Sequence, residues 1–468
     1  MTRRISAVSV VLLACASCSV GPDYVRPEIQ APPAYTELDG WKTAQPSDPI
    51  ARGAWWEMFG DPQLDELEKQ ADAANQTVAA ALASYSQARA LVAAAQSAYY
   101  PQVTVGIGAT KGRSNVAQGL GTHTTSEYVL PLDASWEIDL WGRVRRAVES
   151  AQADADASAA DLETARLSLQ AELASDYFQL RGDDAEIALL EHSITDYERS
   201  LEITQNRYQA GVAGRSDVLN AETLLESTRA QAIDVSVLRA ELEHAIAVLC
   251  GEPPEALSLP VAPLDATPPS VPIGVPSQLL ERRPDVAAAE RRVASANAQI
   301  GFERAAYFPA LTLSASAGFE TSDATKWWEW ASRFWSVGPA LSETVFDGGL
   351  RGARTDQARA AYDQAVADYR ESALVAFQET EDSLAQLRLL ERESLAQSAA
   401  VDAATESVRV ATNQYKAGTI NYLDVVIVQT AALNSQRTSV DLTSRRMVAA
   451  VGLVKALGGG WQPSPPTP

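Results

Sequence analysis

Arg207 to Glu222 reads RYQAGVAGRSDVLNAE, and Gln414 to Gln429 reads QYKAGTINYLDVVIVQ. Tyr208, Ala210, Gly211 and Asp217 of the first stretch return as Tyr415, Ala417, Gly418 and Asp424 of the second, each 207 positions later. Self-similarity at so long a period counts structural units directly. The 468 residues are therefore read as two copies of one unit, rather than the roughly three domains that length alone suggests. In each copy a glycine sits where a helix stops, and an aspartate follows near the start of the next helix, where carboxylates are favoured.

Outward from the repeated turn the pattern is helical on both sides. From about Val144 to Ala210 and from Leu350 to Ala417 there is no proline, and Gly182 and Gly352 are the only interior glycines before the turn. At about 1.5 Å per residue each segment reaches roughly 100 Å. Leu162, Ala165, Leu169, Leu173, Tyr177 and Leu180 step by threes and fours, as do Ala373, Phe377, Leu384 and Leu387. A narrow stripe on an alanine-rich helix suits coiled-coil packing.

Upstream of each long helix the period changes to two. In PQVTVGIGAT, Val103, Val105, Ile107 and Ala109 alternate with Gln102, Thr104, Gly106 and Gly108. In EYVLPLDASWEIDL, Tyr128, Leu130, Leu132, Ala134, Trp136, Ile138 and Leu140 alternate with mostly polar residues. The second copy repeats this with Leu311, Leu313, Ala315, Ala317 and Phe319, then with Trp335, Val337, Leu341 and Val345. Four strands, each with one apolar face, are expected. Tyr100-Pro101 and Phe308-Pro309 end a helix and start a strand, because proline cannot continue the helix.

Aromatic residues mark both ends of these strands. Tyr99, Tyr100, Trp141, Tyr307, Phe308 and Phe346 stand at one end, Trp327, Trp328, Trp330, Phe334 and Trp335 crowd the connection at the other, and Trp136 is counted among the interface aromatics as well. Two girdles around an apolar band are what a transmembrane β-barrel presents to lipid. Four strands cannot close, since the smallest such barrels use about eight and lipid tolerates no open edge. Several copies must share one barrel. The same alternation occurs in an ordinary half-buried sheet, and the aromatic placement is what favours the membrane.

The N-terminus reads MTRRISAVSVVLLACASC, with Arg3 and Arg4 before an apolar run too short to span a bilayer and suited to a secretory signal. Small residues before a cysteine resemble a bacterial lipoprotein signal. Cys18 is the expected acylated residue and Cys15 the competing register; Ser19 after Cys18 implies sorting to the outer membrane. Each buried methylene contributes about 0.8 kcal/mol, so more than one acyl chain gives a durable anchor. This covalent lipid is the only prosthetic group expected. Apart from Cys18 the mature chain holds Cys250 alone, which excludes a disulfide framework.

With 38 basic against 60 acidic residues and a net charge of −22, no clustered basic surface for nucleic acid is visible. An enzyme would need converging chemistry, yet His123, His192 and His244 lie far apart, with no metal-spaced cluster or phosphate loop. No metal is expected. The chain divides into a signal peptide (1–17), a lipidated extended segment (18–54), a first repeat (55–251), a proline-rich connector (252–275), a second repeat (276–460) and a proline-rich tail (461–468). Each repeat runs helix, strand, strand, long helix, turn, helix.

CSVGPDYVRP from Cys18, WWEMFGDPQLDEL from Trp55, PSQLLERRPDVAAAE from Pro276, NAQIGFERAAYFPALTL from Asn297 and YKAGTINYLDVV from Tyr415 together resemble the TolC-like outer-membrane efflux proteins. The match is to the lipoprotein branch that serves resistance-nodulation-division pumps, and it covers nearly the whole chain. The resemblance implies an α+β membrane protein, a homotrimer with four strands per chain in a twelve-stranded barrel, continuous with a periplasmic tunnel of twelve helices. It implies an outer-membrane exit duct that passively conducts substrates from a periplasmic adaptor and an inner-membrane transporter to the exterior. It also implies roles at the second turn: Asp424 as a carboxylate ring, Leu423 as an apolar closing residue, and Tyr415 as a link between the helix pairs near Asp217. Ile427 stands where relatives often have a further aspartate, and Ile420 where some have a locking arginine. One carboxylate ring is expected, and a salt-bridge lock is not. Helix capping by Ser216 or Asp217 and by Asn421 or Asp424 remains open beside the gate. The competing class is a periplasmic coiled-coil adaptor or lipoprotein stalk without a channel.

Overall fold

The computed structural model describes residues 20–29, 54–115, 122–264, 267–269 and 282–459. The signal segment, Cys15, Cys18, most of the 18–54 segment and the 461–468 tail lie outside these residues. The chain forms two compact units, one from Met1–Glu28, Ala83–Ala159 and Ala288–Arg370, the other from Ile29–Leu82, Ala160–Ala287 and Glu371–Pro468. Each unit takes segments from both sequence repeats.

The first unit holds one antiparallel sheet. Its strands are β1 (Gln102–Val105), β2 (Gly108–Asn115), β3 (Thr122–Ile138), β4 (Ala310–Thr321) and β5 (Arg333–Ser342), in the order β1-β3-β4-β5 with β2 also paired to β3. β1 and β2 are one strand line in one register, since Val105 pairs with Leu132 and Gly108 with Val129. The interruption at Gly106 faces Pro131, whose carbonyl accepts from Gly106 N at 3.0 Å but which has no N–H to return. Four expected strands are thus present, the first in two pieces. The fourth ends earlier than its alternation suggests: Ser342 pairs with Ala310, the preceding Pro309 offers no donor, and Val345 lies beyond the ladder at 93 % exposure.

Register aligns the apolar faces across the sheet. Val103, Ala134, Ala315 and Val337 form one row, and Val105, Leu132, Ala317 and Trp335 the next. Val105, Leu132, Val337 and Leu341 are all exposed. From Ile138 to Tyr128 this face runs about 33 Å along the strand, or about 25 Å once tilted as in a barrel, which matches a bilayer's apolar core. The other face carries the polar row Thr104, Asp133, Ser316 and Ser336, with Ser316 Oγ donating to Asp133 Oδ1 at 2.6 Å.

The four helices that adjoin the sheet all meet it at the same end. α1 (Pro62–Ala74) is followed by α2 (Gln76–Gln96), which leads into β1, and α3 (Arg143–Gln209) leaves β3. α4 (Arg215–Leu249) then returns; in the second copy α5 (Pro284–Ala305) leads into β4, α6 (Leu350–Lys416) leaves β5 and α7 (Tyr422–Ala456) returns. Aspartates cap both departures: Asp139 accepts from Val144 N and Arg145 N at 3.0 Å, and Asp347 from Gly349 N at 2.9 Å and Arg351 N at 3.2 Å. A segment from Val20 binds within this unit. Val20 N donates to Trp141 O at 3.1 Å, Arg146 reaches Asp23 at 3.2 Å, and Tyr24 donates to Glu290.

In the second unit the helices carry the core. α3 and α6 each have 67 residues, and α4 and α7 each have 35, so the repeat extends to element length. Gly182 lets α3 approach α7 closely, since a Cβ there would stand 2.8 Å from Ser444 Cβ. Asp61 caps α1, accepting from Gln63 N at 2.9 Å and Leu64 N at 3.2 Å, and its other oxygen accepts from Tyr177 at 2.6 Å. Among the described residues no helix is long and apolar enough to cross a membrane.

Candidate functional site

The doubled stretch folds into two like turns. Gly211 (φ 72) and Gly418 (φ 76) both take the left-handed conformation that glycine adopts at little cost. Gly211 N donates to Tyr208 O at 2.9 Å, and Gly418 N to Tyr415 O at 3.0 Å. The returning helices start differently. α4 begins at Gly214 with no side-chain cap, so neither Ser216 nor Asp217 serves as one. α7 begins with a capping box, in which Asn421 accepts from the Asp424 backbone and the Asp424 carboxylate accepts from Asn421 N at 3.3 Å.

Helical spacing then sorts the residues of α7 by face. Tyr422, Val425 and Gln429 are buried, and Leu423, Asp424 and Ile427 occupy the exposed side, Leu423 at 54 % and Ile427 at 58 %. Tyr415, Tyr422 and Val425 form a core with Ala221 and Ala411, which joins α4, α6 and α7. Asp217 is half-buried at the edge of this core.

The link between the two turns is made by a residue that the sequence reading did not single out. Arg207, at the end of α3, lies over the Tyr415 ring at 4.6 Å and donates to Lys416 O at 3.2 Å. Tyr415 thus meets the first helix pair through its ring, to Arg207, while its hydroxyl is buried without a hydrogen-bond partner. Below this clasp runs a buried polar seam. Tyr197 donates to Gln429 O at 3.4 Å, and Gln429 Nε2 to Ser200 Oγ at 3.5 Å. Burial pushes the Tyr422 hydroxyl up to about 12, helped by neighbouring Tyr415 and offset by its hydrogen bond to Ser200; burial likewise pushes Tyr197 to about 12. The signal for Arg207 was in the repeat itself: Arg207 stands where the second copy has Gln414.

The helices near the turn are acidic. Glu198, Glu202, Glu222 and Glu226 line a groove of about 460 Å³ between α3 and α4. Arg229 spans it, 2.5 Å from Glu198 and 2.6 Å from Glu226. Among the described residues no cluster of histidine, cysteine or carboxylate side chains could hold a metal.

The interface aromatics fall at the two ends of the sheet. Trp141 stacks on Phe308 at 4.9 Å and donates to Pro309 O at 2.8 Å, and Trp136 faces Leu313 in the ladder. At the hairpin end Trp327 meets Tyr128 at 5.5 Å, Trp328 meets Phe319 at 5.6 Å, and Trp330 and Trp335 are exposed.

Residues 67–252 and 275–459 match the family model described as outer membrane efflux protein. The chain belongs to the outer membrane efflux protein family. It is 32 % identical over 468 residues to the pyoverdine export outer membrane protein OpmQ of Pseudomonas aeruginosa, covering 98 % of this chain and 97 % of that one. It is 30 % identical to the toluene efflux pump outer membrane protein TtgC of Pseudomonas putida, covering 98 % and 96 %. Among solved structures it is similar to the outer-membrane channel OprN, with a TM-score of 0.89, 31 % identity and 95 % of this chain and 100 % of that one covered. The open MtrE channel of Neisseria gonorrhoeae gives 0.84, 27 %, 95 % and 99 %. As an outer membrane efflux protein the chain is the exit duct of a tripartite pump in a Gram-negative outer membrane, and it extends into the periplasm. Its fold class is that of these channels, α+β, with strands for a membrane barrel and long helices for a tunnel.

Proposed function

We propose that the exposed face of Leu423 and Asp424 is the closing ring of this duct, formed when three copies assemble. The sheet supports a shared barrel: in the order β1-β3-β4-β5 its outer strands keep unpaired edges, which lipid does not tolerate, and three copies supply twelve strands. The observation that carries the gate is the sorting on α7, where Leu423 and Asp424 stand exposed next to a turn fixed by buried Tyr415 and Tyr422. Threefold repetition turns such a pair into an apolar constriction with a carboxylate ring, which concentrates cations in a narrow throat. Arg207 over Tyr415 holds the second turn to the first, and release of that clasp, with separation near Asp217, opens the ring. The duct conducts passively and catalyses nothing.

Cys18 is the lipid attachment site in this reading. Val20 N is held on Trp141 O, and two residues span at most about 7 Å. An acyl chain on Cys18 therefore enters the membrane at the level of the Trp141–Phe308 girdle, whereas Cys15 has slack that nothing requires. The partners are a periplasmic adaptor and an inner-membrane resistance-nodulation-division transporter. The acidic groove at Glu198, Glu202, Glu222 and Glu226 suits an adaptor surface that is basic.

The capping box favours a second role for Asp424, as a helix cap, and one substitution separates the two. Asparagine can still cap but carries no charge. In planar bilayers Asp424→Asn is expected to lower the cation preference without lowering the unfolding temperature. Unchanged selectivity, with stability lost only in Asp424→Ala, would leave the cap as its sole role.

A further inference from the structure

Strand parity separates the charges of the barrel strands completely. Every lysine and arginine of the described strands, Lys111, Arg113 and Arg333, falls on the apolar, outward face. Every acidic one, Glu127, Asp133, Glu137 and Glu320, falls on the polar, inward face. The register gives this directly. Lys111 pairs with Ser126 and Arg113 with Thr124, in line with Tyr128 and Leu130, and Arg333 pairs with Phe319. In a chain of net charge −22, a wholly basic outward face is not an effect of composition.

The bases all lie toward the hairpin end of the sheet, at successive heights along the strands. Arg333 lies at the hairpin-end girdle, stacked on Trp330 and one pleat from Trp335. β4 ends opposite Tyr128, while β2 and β3 continue past it. Level with Ser126 and Thr124, Lys111 and Arg113 stand about 7 and 13 Å beyond Tyr128 along the strand, and about 13 and 20 Å beyond Arg333, which is level with Leu130. The polar layer outside each face of the apolar core is roughly 5–7 Å deep, so with the strands tilted Arg333 meets that layer from the core side, Lys111 stands in it and Arg113 stands at its outer edge, and the three bracket the headgroup phosphates. The four α-helices that adjoin the sheet, α2, α3, α5 and α6, do so at its opposite end, and with these helices in the periplasm this end faces the outer leaflet.

We propose that Lys111, Arg113 and Arg333 form a headgroup clamp that binds phosphorylated glycolipid of the outer leaflet. The inference rests on the sheet being the outer-membrane barrel and adds a ligand to it. Charge complementarity selects the occupant: tryptophans seat the acyl–sugar boundary, and cations beyond them meet phosphate rather than neutral sugar. Asp323 and Glu329 in the β4–β5 connection oppose this charge, but Asp323 is engaged by Thr325 N at 3.0 Å.

The test is native mass spectrometry of the full-length protein in detergent, titrated with bis-phosphorylated lipid A, with the same lipid after removal of its phosphates, and with inorganic phosphate as competitor. The wild type should retain the phosphorylated lipid preferentially, and inorganic phosphate should not displace it. Each charge removed should weaken retention about fivefold, so that K111Q/R113Q/R333Q loses about a hundredfold, while K111R/R113K/R333K retains it. Equal retention of the dephosphorylated lipid overturns the proposal even if the glutamine variant does not fold. So does displacement by inorganic phosphate, or a folded glutamine variant that binds as wild type. Conductance and cation preference of the glutamine variant should be unchanged, which keeps this outcome separate from the gate.

Discussion

Arg207 illustrates how a single side chain can hold two repeats together. Its planar cation lies on Tyr415 and its N–H reaches Lys416 O, a contact worth about 1 kcal/mol per copy. Arg207→Ala is expected to raise single-channel conductance in planar bilayers, and Arg207→Lys to fall between, because lysine keeps the charge but not the stacking plane. An Arg207→Ala channel with wild-type conductance would remove the clasp from the gate. A different residue-scale consequence lies at Glu68, fully buried on α1 with both carboxylate oxygens unpartnered. Burial, reinforced by Asp72 and Asp65, lifts its carboxyl from 4.5 to about 9. The unfolded chain therefore loses this proton first, so stability is full below about 4.5 and falls as pH rises toward 9. Glu68→Leu is expected to stabilise the protein at pH 8 by about 2 kcal/mol and to flatten that decline, as read by thermal unfolding across pH.

At the scale of elements, glycine inside a helix reads as a weakness and here is a contact. Gly182 leaves α3 unbroken across 67 residues, and its missing Cβ is what lets Ser444 of α7 approach. Gly182→Ala should cost about 1–3 kcal/mol by overpacking, and Ser444→Gly in the same chain should return part of it. The thermal midpoints of the single and double variants decide this, and an additive double variant would refute the contact. The sheet holds a parallel case. Pro131 breaks β1 from β2 because it cannot donate to Gly106, and Gly318 opposite it leaves room for Leu130 O, which a Cβ would approach to 2.1 Å. Both residues were visible in the sequence; their pairing across the ladder was not.

For the whole molecule, the proposed acyl anchor on Cys18 would hold the protein in the membrane beside the barrel, so removing it should not release the protein. Cys18→Ala is expected to weaken outer-membrane attachment while leaving channel conductance intact. Mass spectrometry of the mature N-terminus should find the acyl chains on Cys18, and a mature chain beginning at Cys15 would reverse that register. Val20 to Glu28 is tied down by contacts of its own, with Arg146 reaching Asp23 and Arg26 donating to Tyr369 at 3.0 Å.

Periodicity determined the kinds and order of the elements of this protein, though not the break at Gly106 or the early end of β5. The switch from period two to a helical stripe, the prolines before β1 and β4, and the doubled Tyr-x-Ala-Gly turn are local properties, written by backbone sterics and by which side of one element is apolar. The return of the turn 207 residues later also determined that one set of elements is used twice. Tertiary structure alone decided which residues of the two copies meet. Arg207 and Tyr415, Tyr197 and Gln429, and Gly182 and Ser444 are each brought together from more than 200 positions apart. No local preference encodes such a meeting, because it depends on the rotation of one long helix against another. Parity could sort the strand residues by face from the sequence, but only the register placed Lys111 and Arg113 beyond the end of β4 and Arg333 just before it, because a ladder's offset is fixed by the partner strand and not by the strand itself.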